Sequence, residues 1–205
     1  MQRVDVRGEL KHLYKPSDKE PVVVDVPEMN FLMADGRGNP NTAQEYKDAV
    51  SALYSVAYAL KFMIKKGPEA IDYSVLPLEG LWWADDMADF VNGNKDNWKW
   101  TALIMQPKYV TRDLFKKAVE QVAKRKELTA LGKVRFESFK EGASVQIMYL
   151  GPYADEGPTI QRLHAFAAEN GYKLRGKHHE IYLNDPERSA PDKLRTVIRQ
   201  PVEKA

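Results

Sequence analysis

The chain has 205 residues, which is the length of one large domain or two small ones. With 43% hydrophobic residues and a net charge of only +2, it can bury a sizeable core, and intrinsic disorder is excluded over most of its length. No stretch approaches the ~18 apolar residues of a membrane-spanning helix. The absence of cysteine excludes disulfides, thiolate metal sites and thiol nucleophiles.

The charged residues and histidines predict neither a metal site nor a nucleic-acid partner. The four histidines include the neighbours His178 and His179, and no HxxxH or HExxH spacing occurs among them, so we expect no metal and no cofactor. Basic and acidic residues nearly balance, and the basic excess over residues 112–135 is typical of a solvated helix face. The first residues lack the apolar region of a signal peptide, which predicts a cytoplasmic protein. We further expect no membrane association and a monomer or weak homodimer.

Strands and helices are predicted to alternate along the chain, after a polar arm over residues 1–20. Runs rich in β-branched and aromatic residues predict strands over residues 22–26, 31–33, 73–85, 98–105, 134–136, 145–149, 179–183 and 194–199. Apolar residues at three- and four-residue spacing predict helices from a Thr42–Glu45 capping box to Gly67, over residues 111–127, and from Ile160 to Asn170. Breaks are expected at Pro27, at Glu141-Gly142 and at Pro201, and a polar loop is expected from Asp85 to Asp96.

The order of these elements repeats, and parts of the sequence repeat with it. Residues 100–107 align with residues 194–201, and Trp82-Trp83-Ala84-Asp85 aligns with Tyr182-Leu183-Asn184-Asp185. We therefore predict one α+β domain over residues 21–205, built from a duplicated β-α-β-β unit with pseudo-twofold symmetry. Its halves are about 21–110 and 130–203, linked by the helix 111–127. Two such halves leave a central groove, which is a common place for a ligand.

Glu180 is the first candidate for a functional residue. On the predicted strand, Glu180 and Tyr182 point to one face and His179 points to the other. In the aligned half, Gly80 stands opposite Glu180 and Trp82 stands opposite Tyr182. If both strands face one groove, that groove has aromatic walls and a single carboxylate. If the strand faces solvent instead, Glu180 is an ordinary surface carboxylate, and the residues alone leave both readings open.

Aromatic residues supply the remaining candidates. The adjacent Trp82 and Trp83 point to opposite faces, so at most one of them faces any single groove, and two aromatic rings suffice to stack on a flat or cationic molecule. Tyr149 and Tyr153 flank the turn after a predicted strand, where the Tyr149 hydroxyl can reach a groove edge. Tyr58 lies in a tyrosine stripe on the first helix, a pattern that favours packing. The two histidines at 178 and 179 are treated as ordinary polar residues.

Four segments resemble the GyrI-like small-molecule-binding family, namely residues 33–40, 82–85, 151–156 and 178–186. The resemblance covers about residues 20–203, and its most specific parts are the Gly-Pro-Tyr and His-Glu-Ile-Tyr-Leu-x-Asp-Pro segments. The family includes the effector-binding modules of multidrug-responsive regulators and the DNA gyrase inhibitor protein. The resemblance implies a duplicated β-α-β-β fold with a central groove, in agreement with the repeat.

The resemblance also implies that Glu180 lies at the floor of an aromatic pocket and pairs with cationic, lipophilic ligands. A carboxylate walled by aromatic rings loses hydration, so it either has its pKa raised or attracts a cation. No DNA-binding domain precedes the module, which argues against a transcription regulator. The leading expectation is a stand-alone protein that binds flat, apolar or cationic compounds, drug-like or toxin-like.

Two alternatives remain. The segment Trp82-Trp83-Ala84-Asp85 resembles a subgroup that hydrolyses cyclopropane-bearing DNA-alkylating toxins. In such a hydrolase Glu180 would position or deprotonate water, Tyr149 or Tyr182 would hydrogen-bond the substrate carbonyl, and one tryptophan would stack on the substrate. An inhibitory protein-interaction module is the other alternative, and the net charge of +2 argues against DNA mimicry. The predicted ligand-binding residues are Trp82, Trp83, Glu180, Tyr182, Tyr149, Tyr153 and Tyr58.

Overall fold

The structure is a computed structural model that describes residues 1–86 and 93–205; the predicted polar loop from Asp85 to Asp96 therefore falls partly outside the described residues. The described strands are β1 Gln2–Val4, β2 Val22–Arg37, β3 Ile71–Tyr73, β4 Leu78–Trp83, β5 Lys99–Gln106, β6 Arg135–Leu150, β7 Tyr172–Leu174, β8 His178–Tyr182 and β9 Arg195–Lys204. The described helices are α1 Val6–Glu9, α2 Lys11–Tyr14, α3 Gln44–Lys66, α4 Arg112–Ala123 and α5 Gly157–Glu169.

The strands pair in the order β6-β2-β5-β4-β8-β9-β7, and β6 also pairs with β9. The pairs β2–β5, β6–β9 and β8–β9 are antiparallel, whereas the short β1 and β3 form a separate parallel pair. Helices combined with a mainly antiparallel set of strands confirm the predicted α+β class. The duplication and its pseudo-twofold symmetry stay predictions.

The chain forms two compact units, each assembled from three segments. The first unit comprises Met1–Glu9, Met29–Leu78 and Trp82–Phe139. The second comprises Leu10–Glu28, Glu79–Leu81 and Lys140–Ala205.

The first unit is built on the long helix α3 and the β2–β5 pair. In that pair Asn30 stands opposite Gln106 and Arg37 stands opposite Lys99. The apolar face of α3 is buried, as its three- and four-residue spacing predicts. Helix α4 begins after Thr111, whose hydroxyl accepts a hydrogen bond from the backbone N–H three residues later and thereby caps the helix.

The second unit is built around β9, which pairs with β6, β7 and β8. Glu180 of β8 stands opposite Ile198 of β9, and Tyr182 stands opposite Thr196. Helix α5 contributes Leu163 and Ala167 to a core that also contains residues from β6 and β9. The strand that carries Glu180 is thus held by pairing with β9, whose apolar side chains belong to this core.

Three predicted strand breaks are wrong. Strand β2 continues through Pro27, and β9 continues through Pro201, because the fixed φ of proline is compatible with an extended backbone. Strand β6 continues through Gly142, which adopts a φ of +73°. A positive φ is easily reached by glycine and bends a strand without ending it.

The predicted capping box at Thr42 is also wrong. Helix α3 begins at Gln44, and the residue at its cap is Ala43, which makes no side-chain cap hydrogen bond. The backbone N–H of Thr42 instead donates to the carbonyl of Asn39, within a turn that precedes the helix. The predicted end of this helix at Gly67 is confirmed.

The polar N-terminal segment is ordered in this structure. Residues of β1 pair with β3, and in α2 the side chains of Leu13 and Tyr14 are buried. Packing of this kind is the condition under which the sequence predicts an ordered arm. None of the helices in the part of the chain that the structure describes has the length and apolar character needed to span a bilayer.

Candidate functional site

Two side chains hold the carboxylate of Glu180 in the second unit. His178 Nε2 lies 2.9 Å from Glu180 Oε1, and the Tyr182 hydroxyl donates to Glu180 Oε2 at 2.7 Å. Alternate residues of a strand share a face, so β8 brings all three side chains together. The predicted pairing of Glu180 with Tyr182 on one face is confirmed. The Glu180 side chain keeps 15% of its surface exposed, which leaves it reachable by water or a ligand.

The surroundings of Glu180 favour its ionised form. Burial alone would raise the pKa of this carboxyl, but the hydrogen bond and charge of His178, together with hydrogen bonds from Tyr182 and Glu156, lower it below its usual value. Glu156 is itself buried, directly after the 3-10 turn Tyr153–Asp155.

Tyr153 extends the aromatic surroundings of the carboxylate. Its ring centroid lies 5.6 Å from that of Tyr182, in an edge-to-face arrangement with an interplanar angle of 78°. Burial, followed by the negative charges of Glu156 and Glu180, raises the pKa of Tyr153 to about 12. The phenol is therefore protonated at neutral pH and can donate a hydrogen bond.

Tyr149 fixes the turn that follows β6. Its hydroxyl donates to the carbonyl of Pro152 at 2.9 Å, and its ring packs against the core of the second unit. Burial raises the pKa of this phenol. Gly151 has a φ of +139°, and a Cβ there would lie 2.8 Å from the Tyr149 hydroxyl, so glycine is required at the turn. The predicted catalytic role of Tyr149 stays a prediction.

A second polar cluster in the same unit is completely buried. Tyr14 donates to Glu79 Oε1 at 2.7 Å, and His179 Nε2 lies 2.8 Å from Glu79 Oε2. The other ring nitrogen of His179 lies 3.0 Å from Glu141, which also accepts from Arg199 at 3.3 Å. Because both ring nitrogens face carboxylates, both must donate, and His179 is an imidazolium. Two cations therefore balance two anions inside the unit.

The buried cluster joins distant parts of the chain. The Arg199 guanidinium donates to the Leu13 carbonyl at 2.9 Å and to Gln146 Oε1 at 3.0 Å. These bonds tie the N-terminal segment to β6 and β9. The carboxylates of Glu79 and Glu141 and both ring nitrogens of His179 have their partners within the cluster. We therefore assign the cluster a structural role and expect the stability of the protein to depend on it.

The cluster predicts how stability varies with pH. Burial opposes charging of both groups, but their mutual attraction and hydrogen bonds prevail, so the pKa of His179 rises from 6.5 to about 9 and that of Glu141 falls from 4.5 to about 2. The raised pKa stabilises the fold fully below pH 6.5, and this contribution is lost as pH rises through 9. The lowered pKa stabilises the fold above pH 4.5, and this contribution is lost as pH falls towards 2.

We therefore expect the contribution of the cluster to stability to be greatest between pH 4.5 and 6.5. The measurement is urea unfolding of the wild-type protein and of His179→Ala at a series of pH values. The difference between the two free energies of unfolding should shrink on both sides of that window. A difference that does not change from pH 5 to pH 10 would show that His179 is not charged in the folded protein.

The first unit holds the remaining predicted ligand contacts. Trp82 is 4% exposed, and its ring packs 5.8 Å from the rings of Tyr46 and Trp98. Trp83 is half-buried, whereas Tyr58 is 49% exposed on α3. Ligand contact by Trp82, Trp83 and Tyr58 stays a prediction.

Sequence reasoning missed two members of the Glu180 group. His178 was treated as an ordinary polar residue, although strand alternation places it two residues from Glu180 on the same face. Glu156 belongs to the Gly-Pro-Tyr-Ala-Asp-Glu segment, but its distance of 24 positions from Glu180 conceals the contact. The position of His178 could have been predicted from the sequence, whereas the contact of Glu156 with Glu180 is visible only in the folded structure.

An ionised carboxylate held among phenols in an α+β domain is suited to a small-molecule-binding domain. The sequence matches the family model of the GyrI-like small molecule binding domain over residues 19–203. The chain therefore belongs to the GyrI-like small-molecule-binding family. No curated protein matches the chain.

Solved structures support this membership. An uncharacterized conserved protein from Listeria innocua is 36% identical, with a TM-score of 0.87 and coverage of 98% of this chain and 100% of that one. A hydrolase from Listeria innocua is 38% identical, with a TM-score of 0.85 and the same coverage. The C-terminal domain of EcmrR shares the fold at 14% identity, with a TM-score of 0.57 and coverage of 91% of this chain and 98% of that one.

Proposed function

We propose that this protein is a hydrolase that binds a flat, apolar small molecule and adds water to it, with Glu180 as the general base. The observation that carries the proposal is the Glu180 carboxylate. It is partly exposed, and His178 and Tyr182 hold both of its oxygens. A general base must be ionised, oriented and within reach of water, and this group meets those conditions.

The reaction is clearest for a cyclopropane ring conjugated to a carbonyl, which is the substrate class that the sequence resemblance implies. Glu180 removes a proton from water as the water oxygen forms a bond to a ring carbon. The carbon–carbon bond of the ring breaks, and its electron pair moves through the conjugated system to the carbonyl oxygen. Protonation of that oxygen completes the addition of one water molecule, and Glu180 returns its proton to solvent.

Tyr153 is suited to stabilise the charge that develops on the carbonyl oxygen. Its phenol stays protonated at neutral pH, and its ring packs on Tyr182, beside the base. The hydroxyls of Tyr182 and Tyr149 already donate to Glu180 and to Pro152. We therefore assign the substrate hydrogen bond to Tyr153, the orientation of the base to Tyr182, and the shape of the turn to Tyr149.

The relatives favour hydrolysis over binding alone. A Listeria innocua protein described as a hydrolase is 38% identical, and the alignment covers all of that chain. Similarity of this extent supports a common reaction class. The choice of the cyclopropane carbon–carbon bond as the bond that breaks rests on the sequence resemblance alone.

A second candidate is binding without turnover. The negative charge of Glu180 beside the rings of Tyr153 and Tyr182 favours a hydrophobic cation, because rings and carboxylate both attract positive charge. A protein with this activity would sequester a cationic compound and release it unchanged.

One experiment separates these candidates. Cyclopropanoid alkylators and hydrophobic cations are screened by thermal shift. Each compound that raises the melting temperature of the protein is then incubated with it, and the mass of the recovered compound is measured by mass spectrometry. Hydrolysis predicts that a cyclopropanoid gains the mass of one water molecule. Recovery of every bound compound unchanged would contradict hydrolysis and support sequestration.

The phenol assignment predicts different results for two matched variants. Tyr153→Phe should lower turnover by about 10²-fold, because the developing oxyanion loses its donor. Tyr149→Phe should leave turnover nearly unchanged and lower the free energy of unfolding by about 1 kcal/mol, the value of one hydrogen bond. Turnover is followed by loss of substrate, and unfolding by urea denaturation. The opposite order of the two turnover rates would show that Tyr149 is the donor.

A further inference from the structure

A groove lies in the first unit between α3 and the C-terminal end of α4 with the residues that follow it. Its volume is about 830 Å³. One wall is the outer stripe of α3, with Tyr54, Tyr58 and Phe62, and the other includes Arg125 and Lys126 just beyond α4. These residues all belong to one unit, and none of them is a member of the Glu180 group.

The α3 wall exposes more aromatic surface than helix packing explains. Tyr58 is 49% exposed and Phe62 is 47% exposed, although both are large and stand one helical turn apart. The ring of Tyr54 lies 6.4 Å from that of Tyr58 and continues the stripe. Adjacent exposed rings that line a concave surface are typical of a binding site.

The charge at the rim has one sign. Lys66, Arg125 and Lys126 line the groove, and its described lining residues include no carboxylate. Elsewhere on α3, Lys61 and Lys65 both form ion pairs with Asp72. Within the described residues, by contrast, Lys66 and Arg125 form no ion pair with an acidic side chain. Three cations beside an aromatic wall create a positive potential that favours an anion.

We propose that this groove binds an amphipathic organic anion, with an aromatic or long-chain apolar body and a carboxylate or sulfonate head. The body lies on Tyr58 and Phe62, and the head is bound by Arg125, Lys126 and Lys66. The volume falls within the range of small-molecule sites, about 300–1,000 Å³. The groove thus selects the opposite charge from the one that Glu180 favours, so it is a second site and not an extension of the first.

Anilinonaphthalene sulfonate is the test probe, because it joins flat rings to an anionic head and fluoresces when its rings leave water. The proposal predicts saturable binding to the full-length protein, displaced by dodecanoate and not by dodecyltrimethylammonium. In the double variant Arg125→Glu/Lys126→Glu the affinity should fall at least about tenfold, because two charge-assisted contacts are lost. The matched control Lys116→Glu/Lys117→Glu makes the same change of net charge on exposed residues of α4 that do not line the groove.

Three further results decide the proposal. Phe62→Ser should also weaken binding, and circular dichroism should show that each variant is folded. Glu180→Gln should bind the probe like the wild type, so failure of the hydrolase proposal would leave this one intact. Three outcomes would overturn the proposal. The two double variants could lose the same probe affinity, or dodecyltrimethylammonium could displace the probe as well as dodecanoate does. Probe binding could also fail to saturate, as expected if the groove serves a protein partner.

Discussion

Replacing His179 with alanine is expected to lower the free energy of unfolding by about 3–5 kcal/mol. The imidazolium is fully buried between Glu79 and Glu141, and it donates a hydrogen bond to each. Its removal leaves Glu79 without a cation in the buried cluster, and Glu141 keeps only Arg199. A buried carboxylate that loses its partner must be protonated or hydrated, and both outcomes destabilise the fold.

Urea denaturation followed by circular dichroism measures this change. His12→Ala is the matched control, because the His12 side chain is exposed, and the backbone carbonyl of His12, which accepts from Gln146, is kept in the variant. The control should change the free energy of unfolding by less than about 0.5 kcal/mol. If His179→Ala proves as stable as His12→Ala, the charges of the buried cluster do not stabilise the fold.

Replacing Glu180 with glutamine is expected to reduce turnover by about 10²–10⁴-fold, the usual contribution of a general base. Glutamine has nearly the same shape and can still accept from Tyr182, but it cannot take a proton from water. Binding of an apolar substrate should therefore persist, whereas binding of a hydrophobic cation should weaken. The combination of retained binding and lost turnover distinguishes a base from a packing residue.

Substrate loss under single-turnover conditions measures the rate, and thermal shift measures binding. Glu169→Gln is the control, since Glu169 is an exposed carboxylate at the end of α5. The control should react like the wild type. Unchanged turnover in Glu180→Gln would remove Glu180 from the mechanism, and a joint loss of folding and turnover, seen by circular dichroism, would assign it to structure.

The contact between Glu180 and Tyr182 could be predicted because it is local. Strand alternation requires only that residues 178–182 are extended, and the mix of β-branched and aromatic residues there indicates a strand. The helix ends at Gly67 and Asn170 were likewise predictable from chemistry within one turn of the chain. Such features depend on neighbours in sequence, so they can be predicted without knowledge of the fold.

The buried cluster could not be predicted, because its members are spread over 186 positions between Leu13 and Arg199. From sequence alone, a single charged residue such as Glu141 or Arg199 predicts a strand break or a surface position, because its partner in the fold is not known. Glu141 was placed at a break between two strands, yet it lies in one continuous strand and is 3% exposed. Pairing of opposite charges reverses the usual cost of burying them, and pairing is a property of the fold.

The most direct test of the proposed reaction is the mass of the product formed in water enriched in heavy oxygen. A cyclopropanoid compound is incubated with the wild-type protein and with Glu180→Gln. Hydrolysis by Glu180 predicts that the wild-type product contains one labelled hydroxyl from solvent and that the variant returns the starting compound. A wild-type reaction that consumes the compound without incorporating the label, or that leaves it unchanged, would contradict the proposal.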